Sequence, residues 1–320
     1  MNYKILLFLI MAVSPLISIA APLPESEKPI RIITNNWSSQ IVLSYILGGL
    51  YQKMGYSVEY VEKEISTQWG GIHRGSEHIQ VEVWEGTMQE AFYRISKYGQ
   101  MVDMGSHDAI TREEWWYPSY VEDVCPGLPD WKALKKCAAL FATDKTAPKG
   151  RYLAGPWEKP EKARIRALEL DFEVEVAKTA DDLWIELEKA YKHRKPIVLF
   201  NWTPNWVDVR YEGKFIEFPV HTAECETNPE WGVNKKWTFD CGNPPSGWLK
   251  KAAWVGMKER WPCAWGVLQN MNFTNIMIGT VAAMADKDGM SHQQAAQKWL
   301  SENAKVWSSW LPKQCSLPMK

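Results

Sequence analysis

The chain has 320 residues, a formal net charge of −1, 23% charged and 46% hydrophobic residues. That balance suits a globular protein with one large core or two lobes, and excludes a disordered chain, a coiled coil or a collagen-like repeat. It also lacks the basic field that holds phosphate backbones, so nucleic acid is not an expected partner. One count is abnormal: 19 Trp, against 12 Tyr and 9 Phe. Either the core is built on Trp, or several of them face a ligand.

Residues 1–20 read as a signal peptide. Lys4 supplies the positive start, residues 5–16 a short apolar run, and Ser18-Ile19-Ala20 the small residues before a cleavage point. The run is too short to span a membrane comfortably. The mature chain is therefore expected in the periplasm, cut near Ala20. "IRIIT" (30–34) is expected as a buried strand, followed by an amphipathic helix over 38–55 that stops at Gly55. Residues 56–63 and 79–86 alternate like strands. A helix carrying Met88, Ala91, Phe92 and Ile95 follows the second. The middle of the chain reads as a helix over 131–140, strands over 150–155, 172–178 and 195–202, and a helix over 180–191. The last third reads as helical over 246–260, 272–288 and 291–299, with Gly289 ending one helix and Ser291 capping the next. The alternation of strands and helices implies an α/β protein with mostly parallel sheets flanked by helices.

All six Cys lie in the mature part, an even number that suits disulfides in an exported chain. Fifteen pairings exist. The favoured one is Cys125–Cys137, Cys225–Cys241 and Cys263–Cys315: the first two close short Pro-, Gly- and Asn-rich loops, and the third ties down the tail. There is no CxxC pair and the His residues are scattered, so neither a metal nor another cofactor is expected.

Five Trp fall at strand ends or in the turns just after them: Trp37, Trp84, Trp157, Trp202 and Trp206. In open α/β sheets, ligands bind outside the carboxyl ends of the strands. Any single Trp fits a core as well as a site; together these five imply an aromatic cage. A quaternary ammonium donates no hydrogen bond and spreads its charge over methyl groups, so ring faces are its natural partners. Glu158, beside Trp157, is the acid expected at the ligand's other end. Trp115, Trp116 and Tyr117 are second-rank cleft residues. Glu113 and Glu114 are adjacent and read as capping a helix start. Trp248, Trp254, Trp261 and Trp265, on a helix stripe, and Trp299, Trp307 and Trp310 are expected in the core. "SHD" (106–108) has the vocabulary of a catalytic triad but no GxSxG elbow accompanies it. The competing class is a secreted Trp-rich glycoside hydrolase. It requires two carboxylates facing each other across a cleft. No clear pair exists, so an enzyme is not expected.

Three stretches carry a family resemblance. "NNWSSQIVLSYILGGLYQKMGYSVEYVE", the pair "VEVWEGT" and "VLFNWTPNWVD", and the closing "MNFTNIMIGTVAAMADKDGMSHQQAAQKWLSENAKVWSSWL" resemble substrate-binding proteins of ABC-type glycine betaine/choline/proline importers. The resemblance covers nearly all of residues 30–312. It implies a two-lobed clamp, with 21–109 and 211–320 in lobe I and 110–210 in lobe II. It also implies Trp and Tyr rings around a trimethylammonium head. Trp37, Trp84, Trp202 and Trp206 match its cage positions, and "GPW" (155–157) matches a cleft loop with an acidic or polar contact. "WWYPSYVEDVCPGLPDW" and "GPWEKP" are similar to the trimethylamine N-oxide-binding branch. The implied ligand is trimethylamine N-oxide, choline or glycine betaine, and the implied partner is an ABC permease, engaged by a monomer.

Overall fold

The computed structural model of the chain describes residues 23–157, 159–315 and 317. The expected signal peptide and Glu158 lie outside the described residues. Among those described, no helix is long and apolar enough to cross a membrane.

Among the described residues there are nine strands: β1 (Ile30–Thr34), β2 (Val58–Glu62), β3 (Ile79–Trp84), β4 (Met101–Pro118), β5 (Gly150–Ala154), β6 (Phe172–Val176), β7 (Val198–Thr203), β8 (Gly213–Phe215) and β9 (Gly247–Trp254). They run β2-β1-β3-β9-β4-β7-β5-β6 in space, with β8 also on β4. β1 pairs in parallel with β2 and β3, and β5 with β6 and β7. Parallel strands in one sheet need crossover connections; the helices Ser38–Lys53, from β1 to β2, and Ala180–His193, from β6 to β7, supply two of them. The first buries Val42, Leu43, Ile46, Leu47 and Leu50 and packs on the C-terminal helices Asn275–Asp286 and His292–Glu302. The second begins in a capping box between Thr179 and Asp182.

The two sheets are joined by β4, which the sequence reading does not contain. Its first part, from Met101 to Thr111, pairs antiparallel with β9, and Arg112–Trp116 pairs antiparallel with β7. One continuous strand thus runs through both lobes. Its start looks like a loop in sequence because Asp103, Gly105, Ser106 and Asp108 carry no strand pattern. Tertiary partners hold it instead: Lys250 pairs with Asp103 at 2.6 Å, and Asn272 bonds the Asp108 backbone N–H at 2.7 Å.

The helix expected over 246–260 is a strand, β9, followed by the single turn Met257–Arg260. β9 lies between β3 and β4, so pairing on both edges overrides the helical pattern. Its Lys251 is buried, with the ammonium donating to the carbonyls of Gln269 and Met271. Burial pulls that ammonium's pKa down to about 8. The helix expected over 131–140 is a chain of short turns, Trp131–Ala133, Leu134–Cys137 and Ala138–Phe141. The return to the first sheet is drawn out. β8 still pairs with the lobe II end of β4, and the first sheet is regained at β9.

The three favoured disulfides are present: Cys125–Cys137, Cys225–Cys241 and Cys263–Cys315, with separations of 12, 16 and 52 residues. In the chain-entropy account, stabilisation grows with the loop closed, reaching about 4 kcal/mol for a loop of this last length. Replacing Cys263 and Cys315 by Ser should therefore lower the melting temperature more than replacing Cys125 and Cys137. Thermal unfolding followed by circular dichroism checks the order; equal losses would contradict it.

Candidate functional site

A cavity of about 310 Å³, counting its mouth, lies between the lobes. Trp37 and Trp84 face it from lobe I, and Trp157, Phe200 and Trp202 from lobe II. Ile65, Thr87, Met88 and Glu113 complete the lining.

Local structure explains each position. Trp37 follows β1 and immediately precedes the helix Ser38–Lys53. Trp84 ends β3, where the helix Glu85–Ser96 starts. One carboxylate fixes both indoles. Glu82 Oε2 accepts from Trp37 Nε1 at 2.8 Å, Trp84 Nε1 at 3.1 Å and Ser39 Oγ at 3.1 Å. Glu82 is fully buried; burial raises its pKa from 4.5 to about 7, while the three donors pull the other way. The alternation read in "IQVEVWEG" is therefore not an inside–outside pattern, because every residue of β3 is buried. Its polar side faces a web of side chains. Gln40 donates to Gln80 at 2.8 Å, and Gln80 donates to Asn35 at 2.8 Å. A carboxylate in a strand buried on both faces is the signal that would have singled out Glu82.

On the other wall the rings stand at steep angles. Trp157 meets Trp202 edge-on, with centroids 5.1 Å apart and planes at 86°, and lies 5.7 Å from Phe200. Trp184 backs Trp202 at 5.1 Å. The structure thus brings together four of the five expected Trp. Trp206 is not in this lining. It is buried against Trp184, at 5.4 Å, and faces an adjoining chamber that it shares with Trp37, Trp202, Asp181 and Asp286. Trp115, Trp116 and Tyr117 are core residues of lobe II rather than cleft residues, with Trp115 stacked on Tyr152 at 3.9 Å. Trp261, Trp299 and Trp310 are buried as expected.

Among the described residues the acid that reaches the cavity is Glu113, which the sequence reading assigned to a helix start. Glu113 and Glu114 are strand residues of β4, with Glu113 opposite Trp202 on β7. Successive side chains on a strand point to opposite faces. Glu114 turns away and takes Arg164 Nη1 at 2.6 Å. Glu113 turns to the cage: its Oε1 accepts from Thr87 Oγ1 at 2.5 Å and from Lys159 Nζ at 3.1 Å. Its Oε2 is buried and has no hydrogen-bond partner among the described residues. That oxygen lies against Gly86, where a Cβ would approach it to 2.2 Å. Alternation along "TREEWWYP" was the available signal, but it needed β4 to be recognised first.

A two-lobed α/β clamp with a ring-lined cavity at its seam is the architecture of a solute-binding protein. Residues 28–302 match the family described as the substrate binding domain of ABC-type glycine betaine transport systems, and the chain belongs to that family. It is 40% identical over 293 residues, 89% of this chain and 91% of the relative, to the trimethylamine N-oxide-binding protein of Pelagibacter ubique (strain HTCC1062). Its fold is similar to a lactococcal protein solved in a closed conformation with glycine betaine, with a TM-score of 0.66, 18% identity and 89% and 100% of the two chains covered. It is also similar to an ABC-transporter choline-binding protein in complex with choline, with a TM-score of 0.67, 15% identity and 92% and 96% covered.

Two outcomes follow. Trp84→Ala or Trp202→Ala should weaken ligand binding more than about tenfold, since each removes a ring face worth roughly 0.5–2 kcal/mol together with its packing. Calorimetric titration, with circular dichroism confirming the fold, tests this. Normal binding by both variants would remove the cavity as the site. The second outcome concerns Glu82. An acid with a raised folded pKa contributes stability below its unfolded value and loses it as pH rises through the folded one. Wild type should therefore lose up to about 3 kcal/mol from this group between about pH 4.5 and pH 7, and Glu82→Gln should flatten that slope. Urea midpoints at pH 5 and pH 8 measure it; parallel slopes would refute it.

Proposed function

We propose that this chain is exported to the periplasm, captures a methylated amine between its lobes as a monomer and delivers it to the permease of an ABC importer. Trimethylamine N-oxide is the first ligand, with choline and glycine betaine next. The observation that carries this reading is the combination of Trp37, Trp84, Trp157 and Trp202 around one cavity with the unpartnered Oε2 of Glu113. The trimethylamine N-oxide-binding relative supports the order of ligands.

The energetics are adequate. A micromolar ligand needs roughly 8 kcal/mol. Four ring faces at roughly 0.5–2 kcal/mol each supply several of these, and burial of the methyl groups adds more. Glu113 then selects at the polar end. An N-oxide oxygen can share a proton with its free Oε2, and a choline hydroxyl can donate to it. A betaine carboxylate in the same place meets a like charge. On this reading Glu113 takes the acid's role at the ligand's polar end; Glu158 lies outside the described residues.

No bond is made or broken in this mechanism. A ligand that binds the closed arrangement better than the open one shifts the population toward closure, and the permease reads the closed form. For the lobes we propose 21–109 with the C-terminal part and 110–210, with residues 211–246 lying along the second sheet.

Intrinsic Trp fluorescence of the mature protein, titrated with trimethylamine N-oxide, choline, glycine betaine and maltose, tests the reading. A saturable change at micromolar methylamine is expected. Glu113→Gln should weaken trimethylamine N-oxide and choline more than glycine betaine. Silence from all three methylamines, or a response to maltose alone, would overturn it.

A further inference from the structure

We propose that Lys159 is a specificity-determining residue that tunes the cage toward methylamines of zero net charge and away from net cations. The proposal rests on the methylamine reading above and adds a residue that contributes no ring and no wall of the cavity.

Lys159 belongs to lobe II, five residues past the end of β5. Its side chain is only 9% exposed. Its ammonium donates to Glu113 Oε1 at 3.1 Å, to Thr87 Oγ1 at 3.0 Å and to the Gly86 carbonyl at 3.4 Å. Gly86 and Thr87 follow β3 on lobe I, so two of its three bonds cross the seam. It also lies 5.8 Å from the ring centroid of Phe200, a wall of the cage. The positive charge therefore sits beside Glu113, the carboxylate that lines the cavity among the described residues.

The consequence is electrostatic. A lone carboxylate beside four indoles would make the cage a trap for any quaternary cation. With Lys159 in place, that wall is an ion pair: its net charge is zero, but its dipole is large. A net cation gains from Glu113 and loses to Lys159 over similar distances. A molecule with an anionic oxygen can bring that oxygen to Glu113 through a shared proton and gain from the Lys159 charge 3.1 Å from the same carboxyl, which a net cation cannot. In a partly buried site, one unit charge at this range is worth about tenfold or more in affinity. Because Lys159 is anchored to lobe I by Gly86 and Thr87, the charge takes its full effect when the lobes are together.

The test titrates the full mature chain and its Lys159→Met and Lys159→Arg variants with trimethylamine N-oxide, glycine betaine, choline and tetramethylammonium by calorimetry. Met keeps the length of the side chain and removes the charge. In Lys159→Met, the ratio of cation affinity to N-oxide affinity should rise at least about tenfold, with choline and tetramethylammonium unchanged or tighter and trimethylamine N-oxide and glycine betaine weaker. Lys159→Arg should restore the wild-type ratio. Equal weakening of all four ligands would show a merely structural tether and overturn the proposal, as would an unchanged ratio. A wild type that binds none of the four would overturn the methylamine reading itself, a result distinct from the other two.

Discussion

A single buried carboxylate organises the site. Glu82 has no exposed surface, and removing such a charge from water costs several kcal/mol unless donors compensate. The donors are the two indole N–H groups that the cage needs and the Ser39 hydroxyl at the start of the first helix. The indoles cannot turn without taking donors from Glu82, and Glu82 is held in β3 between Gln80 and Val83, which both pair with β9. Ring orientation in lobe I is thereby tied to the sheet itself. The amide web of Asn35, Gln40, Gln68 and Gln80 repeats this logic one layer deeper, each side chain answering another. Such networks stabilise only when nearly complete; here all three donors to Glu82 converge on Oε2, while its Oε1 is buried with no partner among the described residues.

The second organising element is β4. A strand shared by two sheets places the residues at its crossover in both lobes. Thr111 still pairs with β9, and Arg112 already pairs with β7. Glu113 and Glu114, one and two residues further on, split their duties by strand alternation. Glu114 goes to a buried cluster with Arg164 and Glu161 in lobe II, and Glu113 goes to the seam. The adjacency that argued against a facing acid pair in the sequence is what sends the two carboxylates to opposite faces.

How much was legible follows from the range of the interactions involved. The strands β1, β3, β5 and β7 and the Trp at or just past their ends could be read because short buried strands and their turns are local patterns, and the binding edge of an α/β sheet is a general rule. The disulfides could be read because two of them close short loops. Trp206 lies one chamber away because the turn after β7 folds its ring back onto Trp184 and Tyr211, a contact that strand-end position does not encode. β4 and β9 were not legible for one reason: each is a strand mainly because the other is there. Their paired residues lie more than 130 positions apart, as with Asp103 and Ala252. Glu82 and Glu113 inherit that difficulty, since a carboxylate's role depends on which face of which strand it occupies.

The contacts that cross the seam bear on what drives closure. Away from the cavity the helix Asn275–Asp286 packs on Val207–Arg210, with Gly279 against the Asn205 carbonyl, and the charged contacts lie nearer the surface. Arg210 pairs with Asp288 at 2.9 Å with both side chains more than 40% exposed, and Lys287, 24% exposed, pairs with Glu188, 43% exposed. Exposed pairs of this kind contribute about 0–1 kcal/mol each. Asn275 adds bonds to the Ile110 carbonyl at 2.7 Å and to Thr203 at 3.2 Å, again at an edge open to water. None of these distinguishes a filled clamp from an empty one. The groups that do are the rings of both lobes and the Thr87–Glu113–Lys159 cluster, which are dry only when the lobes meet. Moving a two-state clamp from mostly open to mostly closed takes about 5.5 kcal/mol of differential affinity. The outer contacts are common to both filled and empty closure, so that difference has to come from the cage. A ligand that fills the rings but mismatches the charge at Glu113 would bind without closing the lobes fully. On this view, affinity and delivery to a transporter are separable properties of the same site.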